Sequence, residues 1–405
     1  MKCLVLAGGY DQIALINELK NRGMKVILAD YFENPPAKKF ADKHYQVSTL
    51  DIDLIKDIAV KENVQLITTA CTDQALLTVA KISEEIGLPC YISYETAKNV
   101  TNKLYMKEKF IKGNIPTSKY LIVDTLNIEE IYKLKFPLVV KPVDCNSSKG
   151  VKKVECRKEL ENALVEAIEY SRSKTAIIEE FKEGKEISVD IFVEDGVAKI
   201  LSISESKKVD INKSNAFTIV QSRSIIDITD KDIEKIKDIS QRISKEFKIY
   251  NSPMLIQMII NDTEINVLEF SARMGGGTKY KFIETVSGVN IMSKYVDLIL
   301  GKEVKVIPQN NTKLAFMNYC YSKNGIFERL EGFNELKENR IIDDYFQYKT
   351  KGMKIERAQI SSDRVAGYLI TGNDITEIDR KQHLCEMNLK IIDKKGQDII
   401  IKGIY

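Results

Sequence analysis

The chain has 405 residues, with 61 lysines and arginines against 58 aspartates and glutamates, a net charge of +3, and 44% hydrophobic and 29% charged residues. That length asks for two or three packed domains, the composition excludes a disordered chain, and the balanced charge excludes the basic footprint of a nucleic-acid binder. Seven scattered cysteines with no CxxC pair and only two histidines, His44 and His383, exclude a zinc or disulfide framework, and no apolar run reaches the ~18 residues of a membrane span.

Met1-Lys2-Cys3-Leu4 runs straight into a strand-like segment, so a reduced, cytoplasmic enzyme or binding protein is the expectation. Short apolar runs then alternate with helical patterns: Leu4 to Ala7, a helix from Gln12 to Arg22, Val26 to Ala29, a further helix, and Leu66 to Thr69. This βαβ alternation predicts a parallel sheet. Gly8-Gly9-Tyr10-Asp11 follows the first strand but lacks GxGxxG, which argues against a nicotinamide cofactor. Cys71, after an apolar run, reads as a small buried hydrophobe, and the two histidines read as structural.

A charged helix between Thr101 and Tyr120 stops at Gly113-Asn114-Ile115-Pro116 and marks a boundary. From there to Ile307, strand-like runs alternate with turns and amphipathic helices, and beyond Pro308 the chain returns to short strands and helices. The expected architecture is therefore mixed α/β and α+β: an N-terminal parallel-sheet domain over 1–100, a central domain over 101–307, and a small C-terminal α+β domain over 308–405.

Four segments of the central region carry chemistry. The first pairs Lys103, in a helical stretch, with Lys141, which closes the apolar strand Leu138-Val139-Val140 and is followed by Pro142. A cation fixed at a rigid strand edge suits a nucleotide phosphate. The second is the loop Asp144 to Val151, where Ser147, Ser148, Lys149 and Gly150 are small or cationic enough for backbone N–H groups to approach phosphate oxygens. In the third, a strand ends at Glu179-Glu180-Phe181, bends at Gly184 and resumes at Glu186; backbone groups of Glu180 and Phe181 suit a nucleotide base, and Glu186 suits ribose hydroxyls. The fourth is a predicted hairpin that sets Gln257 opposite Glu269, followed by Ser271, Ala272, Arg273, Met274 and the glycines Gly275, Gly276 and Gly277. An acid ending an apolar strand asks for neutralisation by a hard cation, and Arg273 offers a planar fork for a phosphoryl or carboxylate group. The glycines and Arg223 are candidate substrate contacts, and the polar stretch Glu205 to Lys213 reads as a solvated loop.

In this order and spacing, over roughly Met1 to Gly301, these segments resemble the ATP-grasp family. The resemblance implies an ADP-forming carbon–nitrogen ligase that uses ATP and Mg2+, with Mn2+ as a substitute metal. A small-molecule carboxylate would be activated as an acyl phosphate for attack by an amine. It further implies that Lys103, Lys141, Ser147, Ser148, Lys149, Gly150, Glu179, Glu180, Phe181 and Glu186 bind ATP, that Gln257, Glu269 and Ser271 hold the metal, and that Arg273 steadies the intermediate. Ser271 and Ala272 depart from the family's usual Asn and Pro and weaken the ligand set. An amino-acid or peptide ligase is the favoured reading, ahead of a glycinamide ribonucleotide synthetase-type ligase and of a nucleotide-binding module without chemistry, with a homodimer as the default assembly.

Overall fold

The computed structural model describes residues 1–124, 131, 133–145, 150–209, 218–224, 227–309, 311–356 and 360–405. The first unit is built from β1 (Lys2–Leu6), α1 (Tyr10–Asn21), β2 (Lys25–Asp30), β3 (Lys43–Gln46), α2 (Ile52–Lys61), β4 (Leu66–Thr68), α3 (Asp73–Ile86) and α4 (Tyr94–Thr101). Its four strands pair in parallel in the order β3-β2-β1-β4. Strand alternation explains why β1 is buried from Cys3 to Leu6: Cys3 and Val5 enter one core with Leu15, Ile16 and Leu19, whereas Leu4 and Leu6 enter another with Ile55, Val79 and Ile82.

The chain continues through α5 (Lys103–Lys112), β5 (Tyr120–Val123), β6 (Leu138–Pro142), β7 (Lys152–Val154), α6 (Arg157–Tyr170) and β8 (Ala176–Glu180). These strands form a four-stranded antiparallel sheet, β5-β8-β6-β7, packed on α6. Next come β9 (Lys185–Glu194), β10 (Val197–Val209), β11 (Thr218–Ser224), α7 (Asp230–Glu246), β12 (Ser252–Ile260), β13 (Ile265–Ser271), α8 (Lys279–Ser287) and α9 (Ile291–Ile299). Thr229 caps α7 by accepting from the Asp232 N–H, and Ile236, Ile239 and Ile243 recur at helical spacing to bury one face against the large sheet.

The last stretch holds β14 (Leu314–Cys320), β15 (Gly325–Glu331), α10 (Phe333–Glu338), β16 (Asp344–Gln347), β17 (Lys354–Ile355), β18 (Ala366–Gly372), α11 (Ile375–Asn388) and β19 (Lys390–Asp393). One sheet spans the expected boundary at 307: β13-β12-β9-β10-β11-β14-β18-β16, joined where β11 pairs with β14. The C-terminal strands thereby extend the sheet that carries the candidate metal strand. The N-terminal unit is also tied in, because Ile291, Met292, Tyr295 and Val296 of α9 share a core with β1 and α1. The polar stretch expected as a solvated loop is strand for Glu205 to Val209, paired with β11; the rest of it, to Lys213, lies outside the described residues. No helix among the described residues is long and apolar enough to cross a membrane.

Candidate active site

A cleft of about 810 Å3 opens between the N-terminal unit, the large sheet and the C-terminal strands. Its lining includes Lys103, Gln257, Glu269, Ser271, Arg273 and the three glycines Gly275, Gly276 and Gly277. The hairpin register is the reason two of these meet: Gln257 of β12 lies directly opposite Glu269 of β13, and a register shift follows at Met258.

Lys103 is placed by helix capping. Asn102 accepts from the Leu104 N–H at 2.9 Å, so Lys103 leaves the first turn of α5 with its Nζ donating to the Cys145 carbonyl at 2.7 Å and lying 3.3 Å from Glu269 Oε2. Burial alone would raise the Glu269 pKa, but Lys103 and Lys141 outweigh it and hold the carboxyl at about 2. Its side chain stays 36% exposed to the cleft.

Behind this pair lies a buried triad. Glu179 holds Lys141 Nζ at 2.6 Å and Lys107 Nζ at 3.1 Å, with the Glu179 and Lys107 side chains 3% and 2% exposed. Burial disfavours the Glu179 charge, yet the two ammonium groups hold its pKa below the ordinary carboxylate value. Burial pushes Lys107 the other way, down to about 8 against the pull of Glu179. Glu179 was expected in the nucleotide site and Lys107 was not; the spacing of Lys103 and Lys107, four apart on one helix face, was the available signal.

In the third segment two backbone N–H groups are already engaged within the protein. The Glu180 N–H donates to the Lys119 carbonyl and the Phe181 N–H to the Pro137 carbonyl, both at 3.0 Å, so neither amide is free for a base. Glu186 receives Gln257 Nε2 at 3.2 Å and pairs with Lys208 at 2.6 Å, which links the expected ribose residue to the β12–β13 hairpin. Ser147, Ser148 and Lys149 lie outside the described residues. Gly150 takes a left-handed φ of 71°, and a Cβ there would crowd Tyr170 and Pro142.

Arg273 is not a free fork. Its Nε donates to Asp73 Oδ1 at 2.8 Å, its Nη2 donates to Asp73 Oδ2, and its Nη1 donates to the Met274 carbonyl at 2.8 Å. Arg223 pairs with Glu205 at 2.8 Å and is absent from the cleft lining, so the structure does not bring it to the other candidates. Cys71 also departs from the small-hydrophobe reading: half-buried, with φ 61°, it lines the cleft and donates to the Gly275 carbonyl.

The C-terminal wall supplies two cations that carried no local sequence signal. Arg364 stacks over the Tyr319 ring with Cζ 3.8 Å from the centroid, donates through Nε to Tyr321 at 3.3 Å, and overlies Gly277 so closely that a Cβ there would collide with Nη1. Lys349 lines the same wall, and burial lowers its pKa. Neither has a carboxylate ion-pair partner among the described residues. Another cleft cation, Lys279, is 3.6 Å from the buried Asp190 and contacts Ser204.

The donor set expected for a metal is one partly exposed carboxylate, Glu269, with the Gln257 amide and the Ser271 hydroxyl on the same cleft lining. Among the described residues no three acidic, histidine or cysteine side chains cluster as a metal cage. Such a set fits a hard ion that brings phosphate oxygens with it rather than one enclosed by protein.

Comparison with known proteins agrees with this layout. Residues 134–281 match the ATP-grasp domain model, and residues 3–90 match the PylC-like N-terminal domain model. The carbamoyl phosphate synthase large chain of Caldanaerobacter subterraneus is 22% identical over 287 residues, covering 62% of this chain and 26% of that protein. The formate-dependent phosphoribosylglycinamide formyltransferase of Sulfurisphaera tokodaii is 29% identical over 199 residues, covering 46% of this chain and 49% of that one. The chain thus spans about a quarter and about half of these two relatives. Among solved structures, the L-amino acid ligase of Bacillus licheniformis superposes with a TM-score of 0.79 at 20% identity, covering 97% of this chain and 98% of the other. The phosphoribosylglycinamide synthetase of Anaerococcus prevotii gives 0.75 at 20% identity, covering 97% and 99%. The N-terminal parallel sheet and the hairpin carrying Gln257 and Glu269 fall within the two matched regions: this chain carries an ATP-grasp domain behind a PylC-like N-terminal domain.

Proposed function

We propose that the protein is an ADP-forming ligase that uses ATP and Mg2+ to activate a small-molecule carboxylate for attack by an amine, with an amino acid as the favoured substrate. The observation that carries this reading is the charge arrangement at one end of the cleft. Two buried lysines, Lys107 and Lys141, share the single carboxylate Glu179, which leaves one net positive charge beside Glu269 and Lys103. A buried excess cation suits a polyphosphate.

In this reading Lys141 and Lys103 hold phosphate oxygens, Glu186 takes the ribose, and Glu269 with Gln257 and Ser271 holds the metal. A bound Mg2+ would neutralise charge on the transferring phosphoryl group. The substrate carboxylate attacks in line, and an amine then displaces phosphate from the acyl phosphate; the protein's part is placement and charge balance. Arg364 and Lys349, cations without an acid ion-pair partner among the described residues, support an anionic substrate at the opposite end. A cytoplasmic homodimer is the form we propose, in keeping with seven free cysteines.

The test is ADP and phosphate release from purified protein with ATP, Mg2+ and pooled amino acids. Release that depends on both metal and pool is expected. Tight ATP binding without release would make the chain a nucleotide-binding module instead.

A further inference from the structure

The loop from Arg273 to Thr278 follows the metal strand, yet its anchors come from the N-terminal unit. Asp73, the first residue of α3, takes two of the five N–H donors of Arg273 across 200 residues of sequence. The turn just before α3 adds the Cys71 thiol on the Gly275 carbonyl at 3.2 Å. Asp11, in the first turn of α1, accepts from the Gly277 and Thr278 N–H groups at 3.1 and 2.8 Å. Both acids stand where parallel strands hand over to helices, and a first-turn acid is favoured there by the helix dipole.

The pair is largely withdrawn from water, with side chains 15% and 7% exposed for Arg273 and Asp73. With the Met274 carbonyl taking a third N–H, two donors of Arg273 remain uncommitted among the described residues. The three bonds fix the orientation of the planar group, so its two remaining donors point in set directions from a side chain that lines the cleft.

We propose that Asp73 is a positioning residue for Arg273: the N-terminal unit, through this carboxylate, sets the plane in which the guanidinium presents its two remaining N–H groups to the anionic centre of the reaction. The proposal rests on the ligase reading for the identity of that centre. It gives the N-terminal unit a part in the chemistry of the central domain, because the fork is built from both. A plain interdomain strap would use the same ion pair but would not couple it to turnover.

The experiment is a double-mutant cycle on ADP release. Asp73→Asn keeps the shape and removes the charge; kcat is expected to fall about ten- to a hundredfold while the KM for ATP stays within about twofold. In an Arg273→Met background the same change is expected to alter kcat by less than about twofold, because the group it acts through is gone. Independent, multiplying losses, or an unchanged kcat with only a lower melting temperature, would overturn the proposal. If Asp73→Asn does not fold, Asp73→Glu keeps the charge, shifts the carboxylate by one methylene and carries the same cycle. If the wild-type protein releases no ADP, the ligase reading fails on its own, and phenylglyoxal labelling of Arg273 followed by mass spectrometry still tests the pairing. Asp73→Asn is expected to speed that labelling about tenfold, and an unchanged rate would overturn the proposal.

Discussion

The two ends of the cleft differ in how their charges are settled. At the hairpin end, Lys103 faces Glu269, Lys141 and Lys107 share Glu179, and Lys208 faces Glu186. At the C-terminal wall, Arg364 lies on Tyr319 and Lys349 lines the same surface, and neither is paired with an acid among the described residues. The first end already balances most of its charge internally, so a ligand there must exchange partners: Lys103 has to leave Glu269 for a phosphate if a metal is to take the carboxylate. Among the described residues the second end has no ion-pair partner to exchange. A guanidinium held against an aromatic face without a counter-ion is desolvated in advance and gains most from an incoming anion.

The sharpest way to break this contrast is at Glu269. Glu269→Gln removes the one carboxylate that faces the cleft from β13 and should cut Mg2+-dependent ADP release by about a thousandfold or more, with a melting temperature near wild type because the side chain is partly exposed. Undiminished turnover across a Mg2+ titration would sink the metal assignment. Lys107→Met should act differently, since it strips a partner from the fully enclosed Glu179. Breaking a buried pair costs about 3–5 kcal/mol, so urea unfolding should show a large loss of stability. A loss under 1 kcal/mol, roughly the worth of an exposed pair, would show that the triad is not closed to water.

Much of the hairpin end was legible in the sequence because its signals are local. Lys141 ends an apolar strand before a proline, Gln257 and Glu269 flank a tight turn, and Gly277 stands where a left-handed φ of 72° is needed. What escaped came from long-range packing. Asp73 reaches Arg273 from the other unit, and Arg364 comes to Gly277 only because β14 continues the sheet of β11. The engagement of the Glu180 and Phe181 N–H groups escaped for a related reason. A strand end reads as open backbone, but their N–H groups are consumed by Lys119 and Pro137, whose approach no local pattern announces.

At the other end, Arg364→Met should raise the KM for the carboxylate substrate about ten- to thirtyfold and leave the KM for ATP within about twofold. Equal loss in both would merge the two ends into one site. The change should not affect metal dependence, which makes it the mirror of Glu269→Gln.

The smallest effect is a slope with pH. Burial lowers the folded pKa of Lys107 to about 8, below its ordinary 10.5. Between those values the unfolded chain keeps the proton and the folded chain releases it, so the unfolded state binds more protons and stability rises with pH. Below about pH 8 both states are protonated and this contribution is flat, with the burial penalty fully present. The rise should be visible as an increasing urea midpoint between about pH 8 and 10, and Lys107→Met should remove it while keeping whatever slope other groups impose. A wild-type slope identical to that of the variant would mean that Glu179 holds the Lys107 proton through this window, and that the triad is as firmly charged as the Lys103–Glu269 pair beside it.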